Sequence, residues 1–393
     1  MYRIEGRIQP YSWGGKTFLP GLLNKKNEED LPHAEYWLGI HPSAPALVHL
    51  GQGATTTLTS LVNSDKKRHL GEQIRKEFNS LPFLLKVLDV KDMLSIQVHP
   101  NKADAVKGFQ KENMLGTPLD SPQRNYKDAN HKPEVMIALS EFWLLHGFAS
   151  DIELRLQQYH FLTPFSKIFH EQGIGGLYKH LMELSQEDTE QILLAHLTLI
   201  SDQYQKDSLD KSTPDYWAAK AYLNEKGKID RGIFSIYLFN ILRLYPGEGI
   251  FQGARMPHAY LEGQNIELMA NSDNVLRAGL TPKHIDIPEL LENIDFVETI
   301  PNILSGNLNK GWLEYPCPVR DFSIASMNVN AGQTIECSIS EPSILLQLTG
   351  NGEWKGLQEN SSKGLNAFFI EPGEEIEFKA SSDTLLFLAS VPA

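Results

Sequence analysis

A mainly β fold with an α-helical insertion is what the sequence predicts, and three stretches carry that expectation. Residues 1–150 read as short strands separated by Gly, Pro, Asn and Asp, with 46–50, 82–88, 93–99 and 134–139 as examples. Such spacing fits an all-β barrel or sandwich rather than alternating strand–helix–strand units. From about 151 to 227, apolar residues recur instead at helical intervals, as in Thr189-Glu190-Gln191-Ile192-Leu193-Leu194-Ala195-His196-Leu197, with polar faces between them. Strand signals return at 234–244 and 249–251, and Thr281-Pro282 opens a short helical piece carried by 287–291. From Arg320 onward the pattern is β again, at 322–327, 334–338, 344–348, 367–370, 375–379 and 384–388. Turn pairs such as Ala331-Gly332 and Pro372-Gly373 divide these runs. The expected organisation is a discontinuous first β domain (1–150 with 228–315), a helical insertion (151–227) and a C-terminal β domain (316–393).

Composition narrows the function classes. With 41% hydrophobic and 22% charged residues over 393 positions, the chain has the make-up of a soluble protein with room for two or three domains. No run approaches the roughly 20 apolar residues of a spanning helix, and the N-terminus lacks the apolar core of a signal peptide. Two cysteines, Cys317 and Cys337, are too few for a disulfide framework, so a reducing cytoplasm is the expected compartment. The formal charge of −13 argues against nucleic-acid binding, which relies on a basic surface. For an anionic substrate it requires a local gathering of Lys and Arg.

The sharpest chemical signal is Ser95-Ile96-Gln97-Val98-His99-Pro100. In a strand, Gln97 and His99 point to one face and Ile96 and Val98 to the other, so two metal-competent side chains converge. An edge strand with solvated polar residues would read the same way. In Asn130-His131-Lys132-Pro133-Glu134-Val135 a carboxylate heads an apolar strand behind a loop of proton-transfer groups. Further on, Gly-rich turns surround Pro257-His258, similar to the second motif of cupin barrels, which delivers a metal-binding His. Gln, Glu and two imidazoles together suit a borderline divalent cation such as zinc. A neutral Gln keeps the summed ligand charge low, preserving Lewis acidity toward a sugar oxygen. All thirteen His lie at or before His284, so the C-terminal domain can supply no imidazole.

These segments resemble the type I mannose-6-phosphate isomerases. The resemblance rests on the two motifs above, on Asn274-Val275-Leu276-Arg277-Ala278-Gly279-Leu280-Thr281-Pro282-Lys283, on Tyr11-Ser12-Trp13-Gly14 and on Glu35-Tyr36-Trp37-Leu38-Gly39-Ile40-His41-Pro42. It covers nearly the whole chain. It implies a cupin or jelly-roll catalytic barrel, a helical domain and a second jelly-roll-like barrel at the C-terminus. It also implies one zinc ion per chain held by Gln97, His99, Glu134 and His258, with an active-site arginine at Arg277. His146 departs from the pattern, where a smaller residue such as Cys is expected. The short helical insertion fits a compact bacterial-type member, and a monomer in the cytoplasm is expected.

The implied reaction interconverts mannose 6-phosphate and fructose 6-phosphate, moving a proton between C1 and C2 through a cis-enediol while the developing oxyanion is stabilised. Candidate proton carriers are His131, Lys132, Glu267 and Asp273, and His99 is a candidate for ring opening. Asp273 in Asn271-Ser272-Asp273-Asn274 equally suits an Asx turn, and Glu267 a solvated strand position. Lys86 lies in the apolar run Leu84-Leu85-Lys86-Val87-Leu88, where a cation must find a partner or face a cavity. With Lys132 and Arg277 it would complete the cationic pocket for a sugar phosphate. Two rivals stand beside this reading. One is a non-haem iron oxygenase built on two His and one Glu; the other is a sugar-binding protein that keeps its metal for structure alone.

Overall fold

The computed structural model describes residues 1–356 and 364–392, so 357–363 and 393 of the expected C-terminal domain lie outside the described residues. Two packed, antiparallel β layers, built from strands between Arg7 and Leu304, carry the residues of interest. One layer runs in the order Ile303–Leu304, Gly249–Gln252, Glu134–Ala138, His258–Ala270, Phe83–Val90, Glu35–Gly39, Arg7–Gln9. The facing strands are Phe142–Phe148, Phe239–Leu244, Gln97–Val98 and Leu276–Arg277. His258–Ala270 belongs to both. Its first residues pair with 142–148 and with Gln97, and from Gly263 on it pairs with Phe83–Val90. The crossover demands Gly263: its φ is +131°, and a Cβ there would lie 2.6 Å from the Glu141 carbonyl. The ladders form open sheets, without a closed ring of paired strands among the described residues.

Strand alternation divides the apolar residues among three cores. Met136, Ala138, Leu88, Val90, Phe142, Leu144 and Tyr260 meet between the two layers. On the back of the first layer, Leu85, Val87, Val135, Ile137, Ile266 and Leu268 pack against Ile344, Leu346, Phe369 and Phe387 of the C-terminal sheet. On the back of the second, Trp143, Leu145 and Phe148 pack against helical Trp217, Phe234 and Tyr237. Each layer is therefore covered on both sides.

The helical stretch contains Ile152–Gln158, Ser166–Glu183, Gln186–Gln205, Pro214–Asn224 and Gly232–Leu238. Ser185 caps the longest, its hydroxyl accepting from the Asp188 N–H, and Pro214 sits at a first helical turn. The strand expected from 234 starts instead at Phe239; residues 232–238 are a helix buried on all sides. A short run apolar all round has no periodicity to distinguish the two. Helices Leu58–Ser64, Lys66–Glu77 and Lys102–Met114 also interrupt the first 150 residues, where the sequence pattern suggests strands alone. The last opens on an Asn101 cap, a signal that was present in the sequence.

The C-terminal strands form a nine-stranded sheet facing the three-stranded Thr334–Ile339, Glu374–Ala380, Gly352–Trp354. Three strands of that larger sheet come from the other end of the chain: Tyr2–Glu5, Leu47–Gly51 and Ala54–Thr57. Tyr2 pairs with Phe369 and Ile4 with Val48, so its membership cuts across the boundary expected at 316.

Candidate metal centre

Gln97–Val98 is a two-residue strand wedged between two others. Gln97 stands opposite His258 on one side and Arg277 on the other. Ile96 and Val98 turn outward into the core shared with the helices, which leaves Gln97 and His99 facing inward. Glu134 heads its strand on the opposite layer, and His258 begins the crossover strand. His99, Glu134 and His258 are 0%, 3% and 3% exposed, and one ligand atom of each lies within 4.8 Å of the others.

Both imidazoles are oriented for metal. His99 Nδ1 is 2.8 Å from the Asn274 carbonyl and His258 Nδ1 is 2.9 Å from the Met256 carbonyl. Donating the Nδ1–H to these carbonyls assigns each ring the tautomer whose Nε2 carries the lone pair. Those Nε2 atoms stand 3.4 Å from Glu134 Oε1 and Oε2, respectively. His99 Nε2 is buried with no hydrogen-bond partner among the described residues. Three electron-pair donors turned toward one buried point is a costly arrangement that a divalent cation relieves, so the residues fit one. Burial, with Lys132 adding to it, brings the His99 imidazole down to about 4, so it stays neutral and ligand-competent near neutral pH. Burial pushes the Glu134 carboxyl up, but Lys132 and the two imidazoles outweigh that and hold it well below the usual range.

Gln97, Glu134 and His258 line a pocket of about 60 Å³ together with Glu35, Lys86, Lys132, Tyr260 and Glu267. Lys132 Nζ lies 2.9 Å from Glu134 Oε1. Lys86 is clamped between Glu267 at 2.8 Å and Glu35 at 3.4 Å. Burial alone would lower its pKa, yet these carboxylates raise it above the usual lysine value. Burial pushes the Glu267 carboxyl up, against the pull of Lys86. The pocket shares Glu35, Leu94 and Gln97 with an outer cleft of about 700 Å³. Ser95, Arg277 and Lys283 line that cleft, and Ala221, Asn224 and Lys228 at the end of the helical stretch form its wall. Arg277 and Lys283 have no carboxylate within salt-bridge distance among the described residues. Burial depresses both pKa values, and Arg277 depresses that of Lys283 further.

Two candidates fall elsewhere. His131, in the loop ahead of the Glu134 strand, turns into a separate cleft of about 1020 Å³, where its Nε2 is 2.9 Å from Asp321. Asp273 is bonded to His41 across 3.2 Å, its carboxylate 53% exposed. That bond outweighs burial and lowers its pKa. Sequence reasoning missed Glu35, whose carboxylate helps hold Lys86, and Lys283, which the Arg277 motif already contained.

Fold and site together define a β-sandwich protein with a buried two-histidine, one-carboxylate group that could hold a metal ion, beside a cleft to which Arg277 and Lys283 contribute. Residues 1–150 match the model of the type I phosphomannose isomerase catalytic domain. The chain is 38% identical over 385 residues to the mannose-6-phosphate isomerase of Shigella flexneri, covering 95% of each. With the human enzyme of that name it shares 32% over 385 residues, covering 89% of this chain and 88% of the other. A Salmonella typhimurium mannose 6-phosphate isomerase structure, bound to its substrate fructose 6-phosphate and to zinc, superposes with a TM-score of 0.86 at 32% identity over 100% of both chains. The chain belongs to the type I mannose-6-phosphate isomerase family.

Proposed function

We propose that this chain is a zinc-dependent aldose–ketose isomerase that interconverts mannose 6-phosphate and fructose 6-phosphate. The observation that carries the reading is the convergence of His99, Glu134 and His258 at the base of a cleft lined by Arg277 and Lys283. Gln97, in register with His258, is the fourth ligand in this reading. Zinc bound there supplies a Lewis acid for a sugar oxygen and a template for the open-chain substrate.

The remaining work falls to side chains. Arg277 stands beside Gln97, and its fixed positive charge suits the enediolate oxygen of a cis-enediol path. Lys283 reaches the phosphate from the outer cleft, because Lys86 and Lys132 are already committed to carboxylates. Glu267 and Lys132 are the proton carriers best supported, since both line the inner pocket. Burial raises the Glu267 pKa toward the range where a carboxyl can exchange a proton. His131 and Asp273 are then positioning groups of the surrounding loops. His99 remains a metal ligand, and its Nδ1–H on the Asn274 carbonyl leaves no second nitrogen for ring opening.

The two facing antiparallel layers joined by one crossing strand support a cupin-type, jelly-roll reading of the catalytic part (1–150 with 228–315). In that reading 151–227 is the helical insertion, and 316–393 forms the second β domain together with the strands Tyr2–Glu5, Leu47–Gly51, Ala54–Thr57, Asn307–Asn309 and Trp312–Tyr315. Among the described residues no helix is long and apolar enough to cross a membrane. A cytoplasmic monomer acting on a small sugar phosphate, without nucleic acid, completes the proposal.

Incubating the zinc-loaded protein with mannose 6-phosphate in deuterated water tests it. Fructose 6-phosphate should form, with solvent deuterium entering the carbon that receives the transferred proton. Zinc-loaded protein that binds the sugar but neither converts it nor exchanges its protons is a sugar-binding protein, and the proposal fails.

A further inference from the structure

Gln252 closes the strand Gly249–Gln252 and is 0% exposed, yet neither its Nε2 nor its Oε1 has a hydrogen-bond partner among the described residues. A buried amide with both ends unmatched is rare in a folded protein, and burying one without a partner is unfavourable. Its position says where the partner lies. Gln252 is the direct antiparallel neighbour of Glu134, and side chains so paired share a face with Cβ atoms about 4.5–5.5 Å apart. The flanking residues agree on the direction: Ile250 and Met136 lie in the core between the layers, while Phe251 and Val135 lie in the core behind.

The chain on either side of Gln252 is tied to the same centre. Three residues on, the Arg255 backbone N–H donates to the His99 carbonyl at 2.7 Å, and the segment then runs into His258. A second unmatched buried group stands on the facing layer. His146 is in register with His258, 4% exposed, and its Nδ1 has no partner among the described residues.

We propose that Gln252 is a positioning residue of the metal centre, its amide N–H holding the Glu134 carboxylate so that one oxygen is presented to the cation. Lys132 and both histidines crowd the two Glu134 oxygens. When one oxygen turns to the cation, the other is released toward Gln252. The amide therefore contributes to metal affinity and little to the fold without metal. Outer partners of this kind orient a ligand and raise its affinity for the ion. The inference rests on the proposed metal centre.

The test measures zinc affinity by chelator competition, and the melting temperature of the metal-free protein, for wild type, Gln252→Met and Gln252→Leu. The expected result is a dissociation constant for zinc raised about ten-fold or more in both variants, with metal-free melting unchanged or higher because an unpaired amide has left the interior. Variants that fold and bind zinc within two-fold of wild type overturn the proposal. So do variants that lose metal-free stability while keeping wild-type affinity, or that both fail to fold, since Gln252 would then serve the core. Should wild type itself bind no zinc, the metal centre falls and this proposal with it, an outcome distinct from equal binding by all three proteins.

Discussion

The molecule contains two β-sandwiches, and their interiors differ in kind. Between the C-terminal layers lie Trp312, Met327, Leu345, Trp354, Phe368, Ile376, Phe378 and Leu386. A polar group that intrudes there, Gln347, is satisfied locally: it donates to the Gly350 carbonyl and accepts from Trp354. The first sandwich has an apolar cluster between its layers and also buries Glu35, Lys86, Lys132, Glu134, Glu267, His99 and His258. Buried ion pairs are weak sources of stability, because desolvation offsets most of the attraction. The same strand alternation thus fills one interior for stability and leaves the other charged, which is the physical signature of a site.

The largest expected effect separates the two interiors outright. His258→Ala should strip zinc and lower turnover on the order of a thousand-fold, beyond the 10–100-fold typical of an outer partner, as read by metal analysis and a coupled assay. Full zinc occupancy would break the comparison. Phe378→Ala, in the apolar interior, should cost about 3–5 kcal/mol of stability while zinc stoichiometry stays at the wild-type value. Denaturant unfolding of the metal-loaded protein checks this.

Within the cleft, Arg277→Ala should lower kcat and kcat/KM together by about a hundred-fold, the mark of an interaction made in the transition state. Lys283→Ala should raise KM about ten-fold at nearly constant kcat, the mark of uniform phosphate binding. Steady-state kinetics on zinc-loaded variants distinguishes the roles, and an exchanged pattern would swap the assignments.

A further effect concerns pH. Burial brings His99 down to about 4 and His146 to about 3, against about 6.5 in an unfolded chain. Below that unfolded value the unfolded chain binds more protons than the folded one. The stability of the metal-free protein therefore falls as pH drops from about 6.5 toward the folded values, by up to about 1.4 kcal/mol per unit for each histidine. Thermal melts between pH 7 and 5 should show the slope, and His146→Leu should flatten it.

Much of the site was legible because period-two alternation is strict. Gln97 with His99, and Lys132 with Glu134, share inward faces as alternation requires. His131, next to Lys132 in the chain, meets Asp321 instead. His258 was marked by Pro257 and its Gly-rich approach. Glu35 and Gln252 were not legible, because their roles depend on which strands become neighbours: Trp37 beside Lys86, and Gln252 beside Glu134. The pairing of Tyr2–Glu5 with the C-terminal sheet is a contact across almost the whole chain, and local pattern carries no information about it. Long motifs marked the candidate residues, whereas sheet order had to come from the structure.

The central claim is that one zinc ion at His99, Glu134 and His258 makes this chain an isomerase, and metal depletion with add-back tests it most directly. Purified protein should carry close to one zinc per chain. Chelation should abolish conversion of mannose 6-phosphate while leaving the protein folded, and stoichiometric zinc should restore it. Metal-free protein that turns over at the wild-type rate would contradict the account.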